Sequence, residues 1–167
     1  MRLFTLALAA VPLSAAQDHF LLRQSGFSDP AANWTPWAPR TEIAPRTFVD
    51  RQVSLGEPGS LAISGNSNAA AFGGWERGVS PVKAGRWYRF TANYRVSGVE
   101  HENLRVLARL DWRTAAGKRA GQPDYVWQVT HNGGWRRASV DAPAPPNAAS
   151  VTIQLYLQNR SEEHTSE

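Results

Sequence analysis

Strict alternation of apolar and polar side chains between Trp87 and Val96 is the strongest pattern in this chain. One face carries Tyr88, Phe90, Ala92, Tyr94 and Val96, and the other carries Trp87, Arg89, Thr91, Asn93 and Arg95. A period of two over this length, rich in aromatic residues, is typical of a strand with one buried face. We therefore predict that Tyr88 and Phe90 lie in the core, while the arginine face meets solvent or a ligand.

Two further segments repeat this alternation. In residues 104–112 the predicted inward face is Leu104, Val106, Ala108, Leu110 and Trp112, and the outward face is Arg105, Leu107, Arg109 and Asp111. In residues 151–158 the inward face is Val151, Ile153, Leu155 and Leu157, and the outward face is Thr152, Gln154, Tyr156 and Gln158. Both segments are predicted to pair with the strand at 87–96 or to pack against it.

Shorter apolar runs between turn residues predict the remaining strands. They fall at 20–27, 48–55, 60–65, 71–79, 125–130 and 135–140, with a bulge expected at Gly73-Gly74. The proline-broken segment 33–40 cannot be a central strand. Thirteen glycines and eleven prolines, and no convincing helix, predict an all-β fold. The expected architecture is a two-sheet antiparallel β-sandwich or jelly roll of eight or nine strands.

The two ends of the chain differ from this pattern. Met1-Arg2, an apolar run over 3–13 and the small residues at 14–16 predict a signal peptide over 1–16, cleaved before Gln17. A secreted protein, extracellular or periplasmic, is expected from this. Residues 160–167 depart abruptly in composition and resemble the translation of a sequencing adapter. The sandwich is therefore predicted to occupy 17–159 and to lack its last strand.

Charge and cysteine content narrow the function classes. The net charge is +4 and the pI about 10.0, but the arginines are scattered and form no run of like charges. Nucleic acid is therefore not expected as a partner, and no apolar run after the leader could span a membrane. Since cysteine is absent, a disulfide framework, a thiolate nucleophile and a cysteine metal site are all excluded.

The order of several short segments is similar to a known family. The matching pieces are 25–27 with Trp34 and Trp37, 58–65, 82–92, 134–137 and 141–143. Together they resemble the carbohydrate-binding modules of the galactose-binding-like jelly-roll type. The resemblance covers 21–158 and implies a non-catalytic module of a secreted hydrolase that binds a polysaccharide or oligosaccharide. No cofactor is implied, and Ser28, where many relatives carry an acidic residue, argues against structural calcium.

The resemblance makes the aromatic residues the first candidates for ligand binding, because flat rings suit the apolar face of a sugar. Trp34, Trp37, Trp75 and Trp127 are candidate platforms, whereas Trp112 and Trp135 are expected in the core. Arg109, Asp111, Gln154 and Tyr156 would line the polar face of a sheet, although a merely solvated face fits the same pattern. The predicted ligand-binding residues are Trp37, Trp75, Trp127, Arg109, Asp111, Gln154 and Tyr156.

Catalysis has less support in the sequence. The histidines lack the spacing of a helical zinc site, and no Gly-x-Ser-x-Gly elbow is present. Glu76, Glu102, Asp111 and Asp124 could pair as glycosidase carboxylates, but the sequence places no two of them together. No catalytic residue is therefore assigned.

A structural role is the alternative function. The chain would then be a sandwich domain packing against a downstream catalytic domain, either a glycoside hydrolase or a carbon–nitrogen hydrolase. The arrangement is similar, at the level of the fold, to the N-terminal sandwich domains of bacterial nitrilase-like hydrolases. Exposed aromatics clustered on a concave sheet would favour sugar binding, whereas buried aromatics together with an apolar patch on a convex face would favour the structural role.

Overall fold

The computed structural model describes residues 2–10, 19–24, 33–55 and 59–159. Its strands are β1 (Arg2–Ala10), β2 (His19–Gln24), β3 (Thr35–Trp37), β4 (Arg46–Asp50), β5 (Ser60–Ser64), β6 (Phe72–Val79), β7 (Trp87–Arg95), β8 (Val106–Arg113), β9 (Asp124–Tyr125), β10 (Gln128–Asn132), β11 (Trp135–Pro143) and β12 (Ser150–Gln158). A 3-10 turn covers Thr41–Ile43, and one helical turn, α1, covers Glu102–Arg105.

These strands form an all-β sandwich of two antiparallel sheets, as the sequence predicts. One sheet has the order β10-β11-β7-β1-β5-β4, with β2 paired to β1. The other has the order β3-β6-β12-β8-β9. Within the described residues no helix is long and apolar enough to cross a membrane.

The core lies between the two sheets and confirms the predicted inward faces, apart from Leu104. From the seven-stranded sheet come Tyr88, Phe90, Ala92 and Tyr94, all buried. From the five-stranded sheet come Ala108, Leu110, Trp112, Val151, Ile153, Leu155 and Leu157, also buried. Alternation therefore identified the buried sides of β7, β8 and β12 correctly.

Some predicted strand limits are wrong, for local reasons. The strand expected at 104–112 begins only at Val106, because Glu102–Arg105 form a helical turn and Leu104 is 62% exposed. The strand expected at 48–55 ends at Asp50, where the carboxylate Oδ1 accepts the main-chain N–H of Gln52 at 2.8 Å and bends the chain. The strand expected at 125–130 is two strands, since β9 belongs to one sheet and β10 to the other.

The paired glycines of β6 do not form the predicted bulge in the ladder with β12. Register between these strands is unbroken from Phe72 to Val79. Glycine is needed here for a different reason: a Cβ at Gly73 would lie 2.4 Å from the Trp37 carbonyl oxygen, and one at Gly74 would lie 2.1 Å from the Leu155 carbonyl oxygen. The glycines thus let neighbouring backbone approach closely.

The structure describes part of the predicted signal peptide but not the adapter-like tail. Arg2–Ala10 pairs as β1 with β7 and, over its first residues, with β5. The assignment of this segment to a signal peptide stays a prediction. Ser28, which bears on the calcium prediction, and the adapter-like residues 160–167 lie outside the described residues.

A candidate ligand-binding face on the five-stranded sheet

The outer face of the five-stranded sheet brings together side chains that are distant in sequence. Register places Thr35 opposite Glu76, Glu76 opposite Gln154, and Gln154 opposite Arg109. Arg109 in turn lies opposite Tyr125. One row of side chains therefore crosses all five strands on the side away from the core.

Hydrogen bonds connect four side chains of this row, which we call the polar row: Glu76, Gln154, Arg109 and Tyr125. Gln154 Nε2 donates to Glu76 Oε2 at 2.8 Å. Arg109 donates through Nε to Gln154 Oε1 at 2.6 Å and through Nη1 to the Tyr125 hydroxyl at 3.2 Å. Each bond fixes the orientation of the next side chain, so the row is preorganised before any ligand binds.

Three rings stand beside the polar row and form what we call the aromatic cluster: Trp37, Phe72 and Tyr156. Trp37 meets Phe72 and Tyr156 edge-on, with ring centroids 5.7 and 5.6 Å apart. The Phe72 and Tyr156 centroids are 5.6 Å apart. Tyr156 is buried beneath its neighbours, while Trp37 and Phe72 stay half-buried. These edge-to-face contacts hold the cluster rigid.

The guanidinium of Arg109 joins the polar row to the aromatic cluster. Its central carbon lies 5.4 Å from the ring centroid of Tyr156, 5.8 Å from that of Trp37 and 6.0 Å from that of Tyr125. At these distances a cation is attracted to the negative faces of aromatic rings. Arg109 is therefore held by two kinds of contact at the centre of the face.

The pKa values of the two tyrosines beside Arg109 shift in opposite directions. The hydrogen bond from Arg109 lowers the pKa of the Tyr125 phenol, because the guanidinium stabilises the phenolate. Burial raises the pKa of the Tyr156 phenol well above its ordinary value, because the interior disfavours the charged form. Tyr125 is 45% exposed, so the more acidic phenol is also the one that a ligand can reach.

Asp111 lies on the same face but is committed to internal contacts. Its carboxylate is 1% exposed and accepts hydrogen bonds from Arg113 and, at 3.2 Å, from Arg119 Nε. Two arginines thus neutralise one buried acid. Asp111 supports the sheet and does not present its carboxylate to solvent, so its predicted ligand contact has no support in this position.

The structure separates the tryptophans that the sequence could not distinguish. Trp37 lies on the face, as predicted. Trp75 and Trp34 are buried in the core, and Trp75 Nε1 donates to the main-chain oxygen of Ala62 at 3.0 Å. The prediction that Trp75 is a stacking platform is therefore corrected, because its ring is only 6% exposed. Trp127 is 73% exposed and lies between β9 and β10.

Of the other predicted ligand residues, Arg109, Gln154 and Tyr156 come together on the outer face. Gln154 and Tyr156 are only 5% and 1% exposed, so their predicted direct contact with a ligand is corrected and they support the half-buried Arg109 instead. Two members of the polar row, Glu76 and Tyr125, were missed as ligand residues. Their outward direction is readable only once the pairing of β6 with β12 and of β8 with β9 is known. The only sequence feature that could have pointed to Tyr125 as a ligand residue was its position two residues from Trp127.

A concave feature of a different kind lies at one end of the sandwich. This groove of about 440 Å³ is bounded by residues such as Ser64, Asn66, Gly98, Glu100 and Arg105, and no aromatic ring lines it among the described residues. Because sugar stacking needs an aromatic face, the outer face of the five-stranded sheet suits a carbohydrate better. The described part of the chain also holds no group of three His, Asp or Glu side chains placed to bind a metal ion.

Comparisons with known proteins support the fold. A scan against protein-family models and a search of the curated proteins both find no match. Among solved structures the chain is similar to the enzymatically active domain of tailspike protein 4 from bacteriophage CBA120, with a TM-score of 0.58 and 13% identity over 77% of this chain. The chain spans 18% of that protein's length. At this identity the likeness shows a shared fold alone.

Proposed function

We propose that this chain is a non-catalytic carbohydrate-binding module that holds a polysaccharide against the outer face of its five-stranded sheet. One observation carries the proposal. A preorganised polar row and an aromatic cluster lie side by side on one face and meet at Arg109. Sugar rings need both kinds of surface, since they have apolar ring faces and hydroxyl edges.

The dimensions of the face suit an extended chain of sugars. Neighbouring strands are about 4.8 Å apart, so the polar row, which crosses four strands, is roughly 14 Å long. The exposed ring of Tyr125 and the half-buried ring of Trp37 flank Arg109, with centroids 6.0 and 5.8 Å from its central guanidinium carbon. A ligand lying along the row would contact both rings and the guanidinium between them, while Gln154, 5% exposed, supports Arg109 from beneath.

The contacts made by the acidic side chains support binding without catalysis. Asp111 is neutralised by two arginines, and Asp124 Oδ2 accepts the Trp112 indole N–H at 2.6 Å. Glu102 Oε1 lies 2.6 Å from Arg136 Nε, and Glu76 accepts from the Gln154 amide. Each carboxylate considered as part of a glycosidase pair therefore has a structural partner. As part of the same proposal, the module belongs to a secreted hydrolase, as the apolar N-terminus and the family resemblance suggest.

The structural role keeps a specific observation in its favour. Trp127 and Val129 are 73% and 41% exposed, at or beside the edge strand β10. This strand carries no lysine, acidic residue or proline, which are the residues that usually protect an edge. Packing of this edge against a downstream catalytic domain is the second candidate function.

Affinity electrophoresis against a panel of neutral and acidic polysaccharides tests the proposal. Two exposed aromatics on opposite faces give a matched pair of variants: Tyr125 on the polar row, and Trp87, 51% exposed, on the outer side of the seven-stranded sheet. We expect retardation on at least one polymer, abolished by Tyr125→Ala and unchanged by Trp87→Ala. A folded protein that no polymer retards would exclude sugar binding and leave the structural role.

A further inference from the structure

Arg109 lies at the centre of the face without an acidic partner among the described residues, whereas four other arginines of the sandwich have one. Arg113 and Arg119 contact Asp111, Arg136 contacts Glu102, and Arg89 contacts Asp141. Arg109 is half-buried, yet among residues 2–10, 19–24, 33–55 and 59–159 no carboxylate lies within ion-pair distance of it. Its hydrogen-bond acceptors are a neutral amide oxygen and a phenol.

A half-buried charge without a counterion is costly unless other groups compensate for it. The rings of Trp37, Tyr125 and Tyr156 around Arg109, together with the Gln154 carboxamide, supply part of this compensation. They do not use the whole donor set. The hydrogen bonds of Arg109 to Gln154 and Tyr125 use Nε and Nη1, so Nη2 takes part in neither of them. The guanidinium therefore keeps an N–H group available for a ligand.

The chemistry of the Arg109 guanidinium indicates which kind of ligand its remaining N–H donors would bind. A guanidinium presents its N–H groups in a planar fork that matches a carboxylate. A planar carboxylate can approach Nη2 while the attached ring stacks on the exposed Tyr125. A neutral sugar offers only hydroxyl oxygens at this point and leaves the positive charge of Arg109 without a counterion.

We propose that the ligand is an acidic polysaccharide and that Arg109 binds the carboxylate of a uronic acid unit. This inference rests on the proposed function, because it specifies the ligand of the same face. Arg109 selects the charge, Gln154 orients the guanidinium through Nε, and Tyr125 supplies the flat surface beside it. The lowered pKa of Tyr125 gives a reporter, since a bound carboxylate would neutralise Arg109 and raise that pKa.

Two polymers with the same backbone test this assignment: polygalacturonate and its fully methyl-esterified form. We expect calorimetric titration of the full chain, at an ionic strength of roughly 0.15 M, to show binding of polygalacturonate and at least about tenfold weaker binding of the ester. Arg109→Gln should weaken polygalacturonate binding by at least about tenfold. Arg95→Gln removes the same charge from the exposed outer side of the other sheet and should leave binding unchanged.

Each contrary outcome has a distinct meaning. Equal binding of the acid and the ester would overturn the carboxylate assignment while leaving sugar binding intact. Equal losses in Arg109→Gln and Arg95→Gln would overturn it too, since the attraction would then be general to the basic protein. Stronger binding of dextran sulfate than of polygalacturonate would assign the site to sulfate instead. Binding of no polymer would overturn both proposals. The comparison of acid with ester needs no variant, so it decides the matter even if Arg109→Gln does not fold.

Discussion

Replacing Phe90 with alanine tests the assignment of the two faces of β7. Phe90 is fully buried at the middle of this strand, opposite Val140 of β11. Truncating a buried phenylalanine costs roughly 3–5 kcal/mol, because apolar contacts are lost and a cavity remains. That is a large part of the roughly 5–15 kcal/mol that stabilises a domain.

The neighbouring Arg89 provides the matched control. Its side chain is 49% exposed and pairs with Asp141, with Arg89 Nη2 2.7 Å from Asp141 Oδ2. Exposed ion pairs contribute about 0.2–1 kcal/mol. At roughly 2–4 °C per kcal/mol for a chain of this size, Phe90→Ala should lower Tm by about 6–20 °C, and Arg89→Ala by less than about 4 °C.

Thermal unfolding of both variants, followed by circular dichroism under the same buffer conditions, measures the difference. The reasoning requires the Phe90→Ala decrease to be several times larger. Equal decreases, or a larger one for Arg89→Ala, would mean that the inward and outward sides of β7 have been exchanged. The residues assigned to the core of the sandwich would then be wrong.

Three other contacts give shorter tests. Trp75→Phe should lower the free energy of unfolding by about 1–3 kcal/mol in urea denaturation, because the buried carbonyl of Ala62 on β5 loses a hydrogen-bond donor. Trp37→Phe is the control: the Trp37 indole makes no hydrogen bond within the described residues, so this change should cost less. The hydrogen bond from Arg89 lowers the pKa of Asp141, so the stability it contributes is complete above the ordinary value near 3.8 and is lost as pH falls through the folded value. Wild type and Asp141→Asn should therefore converge in Tm in strong acid; a constant gap would contradict this. In a spectrophotometric titration, Tyr125→Phe should remove a phenolate absorbance that develops below the ordinary phenol pKa near 10.0, and an unchanged titration in that range would count against the contact with the guanidinium.

The sequence could predict the direction of side chains wherever a strand alternates regularly. β7, β8 and β12 each carry large apolar residues on one side and polar residues on the other. Alternation alone therefore placed Arg109, Gln154 and Tyr156 on an outward face. The local hydrophobic effect determines this choice, and no knowledge of neighbouring strands is needed.

The environment of Trp75 could not be predicted in the same way. Its strand β6 contains glycines at 73, 74 and 78 and adjacent charged residues at 76 and 77, so neither side is clearly apolar. Burial of Trp75 follows instead from close packing at Gly73 and Gly74 and from the hydrogen bond to Ala62. These are contacts with other strands, and a local pattern does not contain them.

The polar row depends on information of this long-range kind. Tyr125 belongs to a strand of two residues, which is too short to show any period. It joins Arg109 only because β9 pairs with β8 at the edge of the sheet. Glu76 and Gln154 are 78 residues apart in the chain and meet through the register of β6 with β12. Candidate residues were thus recognisable one by one, whereas the site itself required the fold.

The indole N–H resonances of the seven tryptophans offer the most direct test of ligand binding on the outer face of the five-stranded sheet. In a titration of the ¹⁵N-labelled protein with oligogalacturonate, followed by two-dimensional NMR, we predict that the Trp37 indole signal shifts progressively and saturably. The Trp87 indole, on the opposite outer face, should keep its position. Saturable shifts at Trp87 or Trp127 with an unmoved Trp37 signal would place the ligand elsewhere and contradict the account.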